Sequence, residues 1–324
     1  MKLILALIAS TLLLGTGARA QDAFPTSKTV TLKEDGRTWW IDERAEIAST
    51  VSIVNLRATK IEGRAKDGKE NVLFVSGSLE LKAVTGGKVL LENVWIELAP
   101  DAKSLYLSHC EFIGGGVRSQ GKLSTAAKIF TEITTFGKDS SCSLAMHAGS
   151  VDMQATHSNA PVVFTGIALS EKSPNRTNLS ILTCNGEQRG LLGGLQVSGM
   201  ADVQVRHTVL GGASTRIVDC PKLDFDGNNV QSVNLQFVQT VYGNFGATKI
   251  HNCDFRSDKI EFRTPAPEKK LEKVILDHCW FRGLTEAEKI GALMVIDHAN
   301  DATTGVTIGY AKISPSALGL AGHE

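Results

Sequence analysis

The chain has little that would announce an activity. Its longest apolar run, Leu3 to Leu14, stands at the very start, and no other stretch approaches the roughly 18 apolar residues of a membrane-spanning helix. Charge of one sign is not in excess. With 34 Lys and Arg against 34 Asp and Glu there is no surplus to neutralise phosphates, which excludes nucleic acid as a partner. Almost no segment repeats its apolar residues with a 3.6 period, which excludes helical bundles and helical repeats. There is no G-x-S-x-G elbow and no H-x-x-x-H or paired-cysteine zinc spacing. The Gly-Gly pairs at 86–87, 193–194 and 211–212 read as turns rather than phosphate cradles.

What is present begins with an address. Met1-Lys2, the apolar run and Ala18-Arg19-Ala20 form the three parts of a signal peptide, so residues 1–20 are expected to be removed and the protein to be secreted or periplasmic. Loss of Lys2 and Arg19 leaves 32 basic and 34 acidic residues, still near balance. The 31 glycines and the abundance of Val, Leu, Ile, Thr and Asn favour many short strands joined by turns. Six cysteines in an exported chain invite disulfides, yet a mature chain of 304 residues is large enough to do without such staples.

The cysteines fall in a repeat. Ile-His-Asn-Cys-Asp-Phe at 250–255, Leu-Asp-His-Cys-Trp-Phe at 276–281 and Leu-Ser-His-Cys-Glu-Phe at 107–112 share one pattern. Further copies start at Leu91, Val205 and Phe225, with weaker ones at Ile129 and Leu182. The anchors 182, 205, 225, 250 and 276 lie 20–26 residues apart, a solenoid period, and the leucine-rich spacing is absent. The spacing predicts an all-β, right-handed parallel β-helix in which coils stack about 4.8 Å apart. Cys253 and Phe255, two apart, share the inward face of one strand. Asn93, His109, His207, Asn252 and His278 occupy bends, where a side chain can bond backbone freed by the turn. The expected organisation is an N-terminal cap at 21–50 (with Thr38-Trp39-Trp40-Ile41 over the first coil), the β-helix at 51–283 and a C-terminal cap at 284–324. That last cap holds a short helix opened by Thr285-x-x-Glu288 and the strands 293–296 and 306–313. The coils of 134–180 have no readable period. Cys110, Cys253 and Cys279 are expected as buried, reduced thiols: Cys253 and Cys279 stack on adjacent coils, where parallel side chains leave their Cβ atoms too far apart for an unstrained bridge, and cysteine is a good small filler for a dry interior.

These coils resemble those of the pectate-lyase-like superfamily of right-handed β-helices, over roughly residues 50–283. The stretch Val274-Ile-Leu-Asp277-His278-Cys279-Trp280-Phe281 is similar to the WIDH coil of pectate lyases, and the resemblance implies a calcium-binding role for Asp277. The catalytic arginine of a later coil has no counterpart, since no arginine follows Arg282. The paired aspartates and Gly-His-Gly segment of polygalacturonase-type hydrolases are also missing.

Outward positions are where a filled solenoid can act. The second motif position makes a column of Arg206, Asp226, His251 and Asp277, with Asp254 across the bend. An imidazole between carboxylates beside a guanidinium suits a cation, with calcium possible, or acid–base work. The competing reading is a solvated column whose alternating charges avoid repulsion between coils. Trp95 and Trp280, at the fifth position, are candidates for stacking sugar rings, or are covered by neighbouring chain. The expected function is contact with polysaccharide, as a binding module or divergent carbohydrate-active enzyme. The alternative is a non-catalytic scaffold or adhesin that contacts another protein or cell-envelope component.

Overall fold

Short strands that alternate inward apolar and outward polar residues can bury their apolar face only by stacking coil on coil. The chain does this, folding as an all-β, right-handed parallel β-helix. The computed structural model describes residues 29–65, 68–124, 126–167, 177–185, 188–239, 248–257, 259–263, 274–277, 279–281, 294–297, 306–308 and 311–312. Each coil contributes to three ladders in turn. The first includes 110–113, Thr135–Phe136, Val209–Leu210, Asn229–Val230 and Asp254–Phe255. The second includes Val72–Val75, 95–98, Ser214–Val218 and Asn234–Val238. The third runs through Ser104–Ser108, Ala127–Glu132, Gly149–Gln154, Thr177–Leu182, Asp202–Arg206, Lys222–Asp226, Thr248–His251 and Val274–Asp277.

At the N-terminal end Val30–Leu32 pairs antiparallel with Thr38–Ile41, and that strand pairs parallel with 60–63. Trp39 is buried, while Trp40 is half-buried with the Lys33 and Arg64 cations 4.5 and 3.8 Å from its ring centroid. At the other end Met294–Asp297, Val306–Ile308 and Ala311–Lys312 pair parallel with strands of the preceding coil, so they extend the ladders. The expected helix at Thr285–Glu288 and the bend at His278 lie outside the described residues.

The corner between the third and first ladders explains the repeated motif. His109, His207 and Asn252 there have φ of 56, 45 and 55°, the left-handed conformation that lets the chain turn in one residue. The next residue points into the core and forms an interior column: Cys110, Thr134, Thr156, Thr208, Asn228, Cys253 and Cys279, all buried. Five of these donate to the carbonyl of the anchor residue one coil earlier. Cys110 reaches Leu81, Thr134 Leu107, Asn228 Val205, Cys253 Phe225 and Cys279 Ile250, at 3.8, 3.3, 2.7, 3.4 and 3.9 Å. Cysteine recurs because the site takes a small side chain with one donor, and threonine serves equally. Cys110, Cys142, Cys220, Cys253 and Cys279 are buried thiols outside any disulfide. Burial pushes the thiols of Cys110, Cys142 and Cys220 up to about 12. Cys253 is raised by burial and then by the neighbouring thiol of Cys279.

The register also corrects three anchors. Leu91 stands opposite Phe112, so Asn93 turns the corner between the first and second ladders, and the step of 16 residues from Leu91 to Leu107 joins unlike positions. Thr131, not Ile129, stands opposite Leu107, and Ile181, not Leu182, opposite Val205. The residues of 134–180 that are described form ordinary coils. Their inward positions include Thr134, Thr156 and Ser158, polar residues that disguise the period.

Candidate functional site

The outer face of the third ladder carries the charged column expected from sequence. Arg206 is paired in register with Asp226, Asp226 with His251 and His251 with Asp277. The side chain of Asp277 lies outside the described residues. Asp224, two residues before Asp226 on the same face, draws the group together. Arg206 Nε donates to Asp224 Oδ2 at 3.1 Å, and His251 Nε2 lies 2.9 Å from Asp224 Oδ1. His251 Nδ1 is 3.2 Å from Asp226 Oδ1, which also accepts from Asn252 Nδ2 at 2.9 Å. Sequence reasoning missed Asp224, although Asp224-Phe225-Asp226 alternates in the way that puts both carboxylates outside.

Burial pushes the Asp224 carboxyl up, but Arg206 and His251 together outweigh it and hold the group below its usual range. A carboxyl held ionised has no proton to give near neutral pH, so Asp224 is unsuited to general-acid work. Asp254 lies past the Asn252 corner in the first ladder, opposite Asn229 and Trp280, and pairs with Arg256 at 3.3 Å. Among the described residues no group of three or more His, Cys, Asp and Glu is placed to hold a metal.

The two tryptophans stand apart. The Trp280 side chain lies outside the described residues. Trp95 projects from the second ladder opposite Gly116, where a Cβ would meet the Ser141 carbonyl oxygen at 1.9 Å, so only glycine fits beside it. The Arg118 guanidinium covers the Trp95 ring at 4.6 Å, and Arg118 itself donates to Glu97 at 2.8 Å and to Glu70 at 3.1 Å. A sugar would have to displace a cation anchored at two carboxylates.

An aromatic surface does exist on the third ladder, toward its N-terminal end. A groove of about 510 Å³ there is lined by Glu80, Ser104, Tyr106, Lys128, Phe130 and Asp152 among others. Register places Glu80, Tyr106, Phe130 and Asp152 in one outward column on four successive coils. The Tyr106 and Phe130 rings are stacked, 4.8 Å apart and 16° from parallel. Both rings are half-buried. Ser52 Oγ donates to Glu80 at 2.6 Å, and the Tyr106 hydroxyl donates to Glu132 at 3.4 Å. Burial raises the Tyr106 phenol above its ordinary value, with the charges of Glu132 and Glu80 adding to the effect. The signal was present as Leu-Tyr106-Leu and Ile-Phe130-Thr, each an aromatic between inward residues. Setting Ile129 opposite Leu107 had placed Phe130 two residues away from Tyr106.

No family model, curated protein or solved structure matches this chain.

Proposed function

We propose that the protein is an exported polysaccharide-binding β-helix, and that the groove on the outer face of its third ladder is the contact surface. The stacked Tyr106–Phe130 pair carries this reading. Two partly exposed rings stacked along the solenoid axis present a row of apolar edges against which the carbon faces of sugar rings can pack, and Ser78, Ser104 and Ser150 border them with hydroxyls. A linear polymer laid along the axis meets the two rings on successive coils, with Glu80 and Asp152 at either end. Binding is favoured over catalysis because the carboxylates beside His251 are committed to donors, and Asp224 is held ionised. Likeness to the pectate-lyase-like proteins then concerns the coil, with calcium at Asp277 a separate question for the other end of the ladder.

A glycan-array screen of the mature chain, followed by titration calorimetry on the hits, tests the proposal. Phe130→Ala should weaken binding at least about tenfold, the scale of one lost aromatic contact. Arg118→Ala, which uncovers Trp95 on another face, should leave it within twofold. Absence of any glycan ligand, or binding indifferent to Phe130, would favour the scaffold reading.

A further inference from the structure

We infer that the groove selects glycans bearing free, protonated amino groups, and that an ammonium docks between the outer face of Phe130 and Asp152. This rests on the groove being a glycan site and names the class of glycan. The column is a carboxylate, two stacked rings and a second carboxylate. At its upstream end the chain already places an ammonium of its own: Lys82 Nζ lies 5.7 Å from the Tyr106 ring centroid, with Glu132 accepting from the same tyrosine. Tyr106 occupies one face of Phe130, so the other face is turned toward Asp152 on the next coil.

No cation of the chain is placed over the Phe130 ring among the described residues. Asp152 meanwhile has half of its carboxylate unsatisfied. Gln154 donates to Oδ2 at 3.2 Å, while Oδ1 is buried and has no hydrogen-bond partner among the described residues. A buried carboxylate oxygen without a donor is costly, and turning the partly exposed Asp152 side chain toward a docked ammonium supplies the donor and the charge together. The adjoining ring face adds cation–π attraction. Lys128 borders the groove one column over and is exposed, free to swing toward solvent. Uronates are disfavoured, since they would bring carboxylates against Glu80, Glu132 and Asp152. An N-acetylated unit keeps the sugar ring but loses the charge.

The test uses the mature full chain and three oligosaccharides of equal length: glucosamine, N-acetylglucosamine and galacturonate hexamers, titrated by calorimetry at low salt. The glucosamine hexamer should bind about tenfold or more tighter than its acetylated counterpart. Asp152→Asn should reduce that preference to within twofold, and 0.5 M salt should reduce it as well. Equal binding of the first two hexamers, tighter binding of galacturonate, or a preference that survives Asp152→Asn would overturn the inference. Each of these outcomes leaves a glycan site standing. Failure of every glycan to bind would remove the site and the inference together. Melting curves of Asp152→Asn matching those of the parent protein would show that the changed preference is not a folding defect.

Discussion

Asn228 offers the sharpest test of how the corners hold together. It is 1% exposed, in the interior column behind the third-ladder corner. Its Nδ2 donates to the Val205 carbonyl at 2.7 Å, and its Oδ1 accepts from the Thr208 amide at 3.0 Å. Alanine satisfies neither group. Each backbone group left buried and unpaired costs about 1–3 kcal/mol, so Asn228→Ala should destabilise by roughly 2–6 kcal/mol. Threonine fills this column at 134, 156 and 208, and Thr134 makes the corresponding bond to Leu107. Asn228→Thr restores the donor to Val205 but not the acceptor for Thr208, and should cost about half as much. Urea unfolding followed by circular dichroism reads both as shifts in midpoint at unchanged slope. If alanine costs under about 1 kcal/mol, or threonine is no better than alanine, the corner bonds are not what the interior column is for.

Three other outcomes follow from the same structure. Thiol titration of the native protein should label none of Cys110, Cys142, Cys220, Cys253 and Cys279, and denaturant without reductant should expose all five; labelling of none in denaturant would mean cross-linked coils. The depressed Asp224 carboxyl stabilises the fold above its unfolded value near about 4, and that contribution is lost as pH falls through the lower folded value. The melting-temperature deficit of Asp224→Asn should therefore be fully present at pH 6 and shrink steadily toward pH 2, whereas a deficit independent of pH would deny the charged interaction. Calcium should leave the melting temperature unchanged, because Asp224 faces Arg206 and His251 while Asp226 faces His251 and Asn252. An upward shift abolished by Asp277→Asn would place a cation site at the end of the column.

The charged column was legible because its residues occupy the same place in motifs that align without gaps: the steps from Val205 to Phe225, Ile250 and Leu276 are those of the register. The groove was not, because its coils begin with misleading anchors. Thr131 is an inward residue with a polar side chain, 2% exposed, and it bonds Thr156 of the next coil at 2.9 Å. By composition such a residue looks outward. The neighbouring Ile129 then takes its place in the alignment, and Phe130 is set against Ser108 instead of Tyr106.

The sequence by itself determined the parallel solenoid, the inward face of Cys253 and Phe255, the bends at His109, His207 and Asn252, and the alignment of Arg206, Asp226 and His251. These follow from a two-residue alternation and a repeat, both local properties of the chain. Only the tertiary structure decided that Arg118 lies over Trp95, that Asp224 binds both Arg206 and His251, and that Tyr106 stacks on Phe130. Those contacts join residues 18 to 27 positions apart in sequence for Asp224 and 24 for the ring pair, and their partners depend on register between coils. Register is set by which side chains fill the core, and a shift of two residues preserves every inward and outward assignment while exchanging every neighbour along the column.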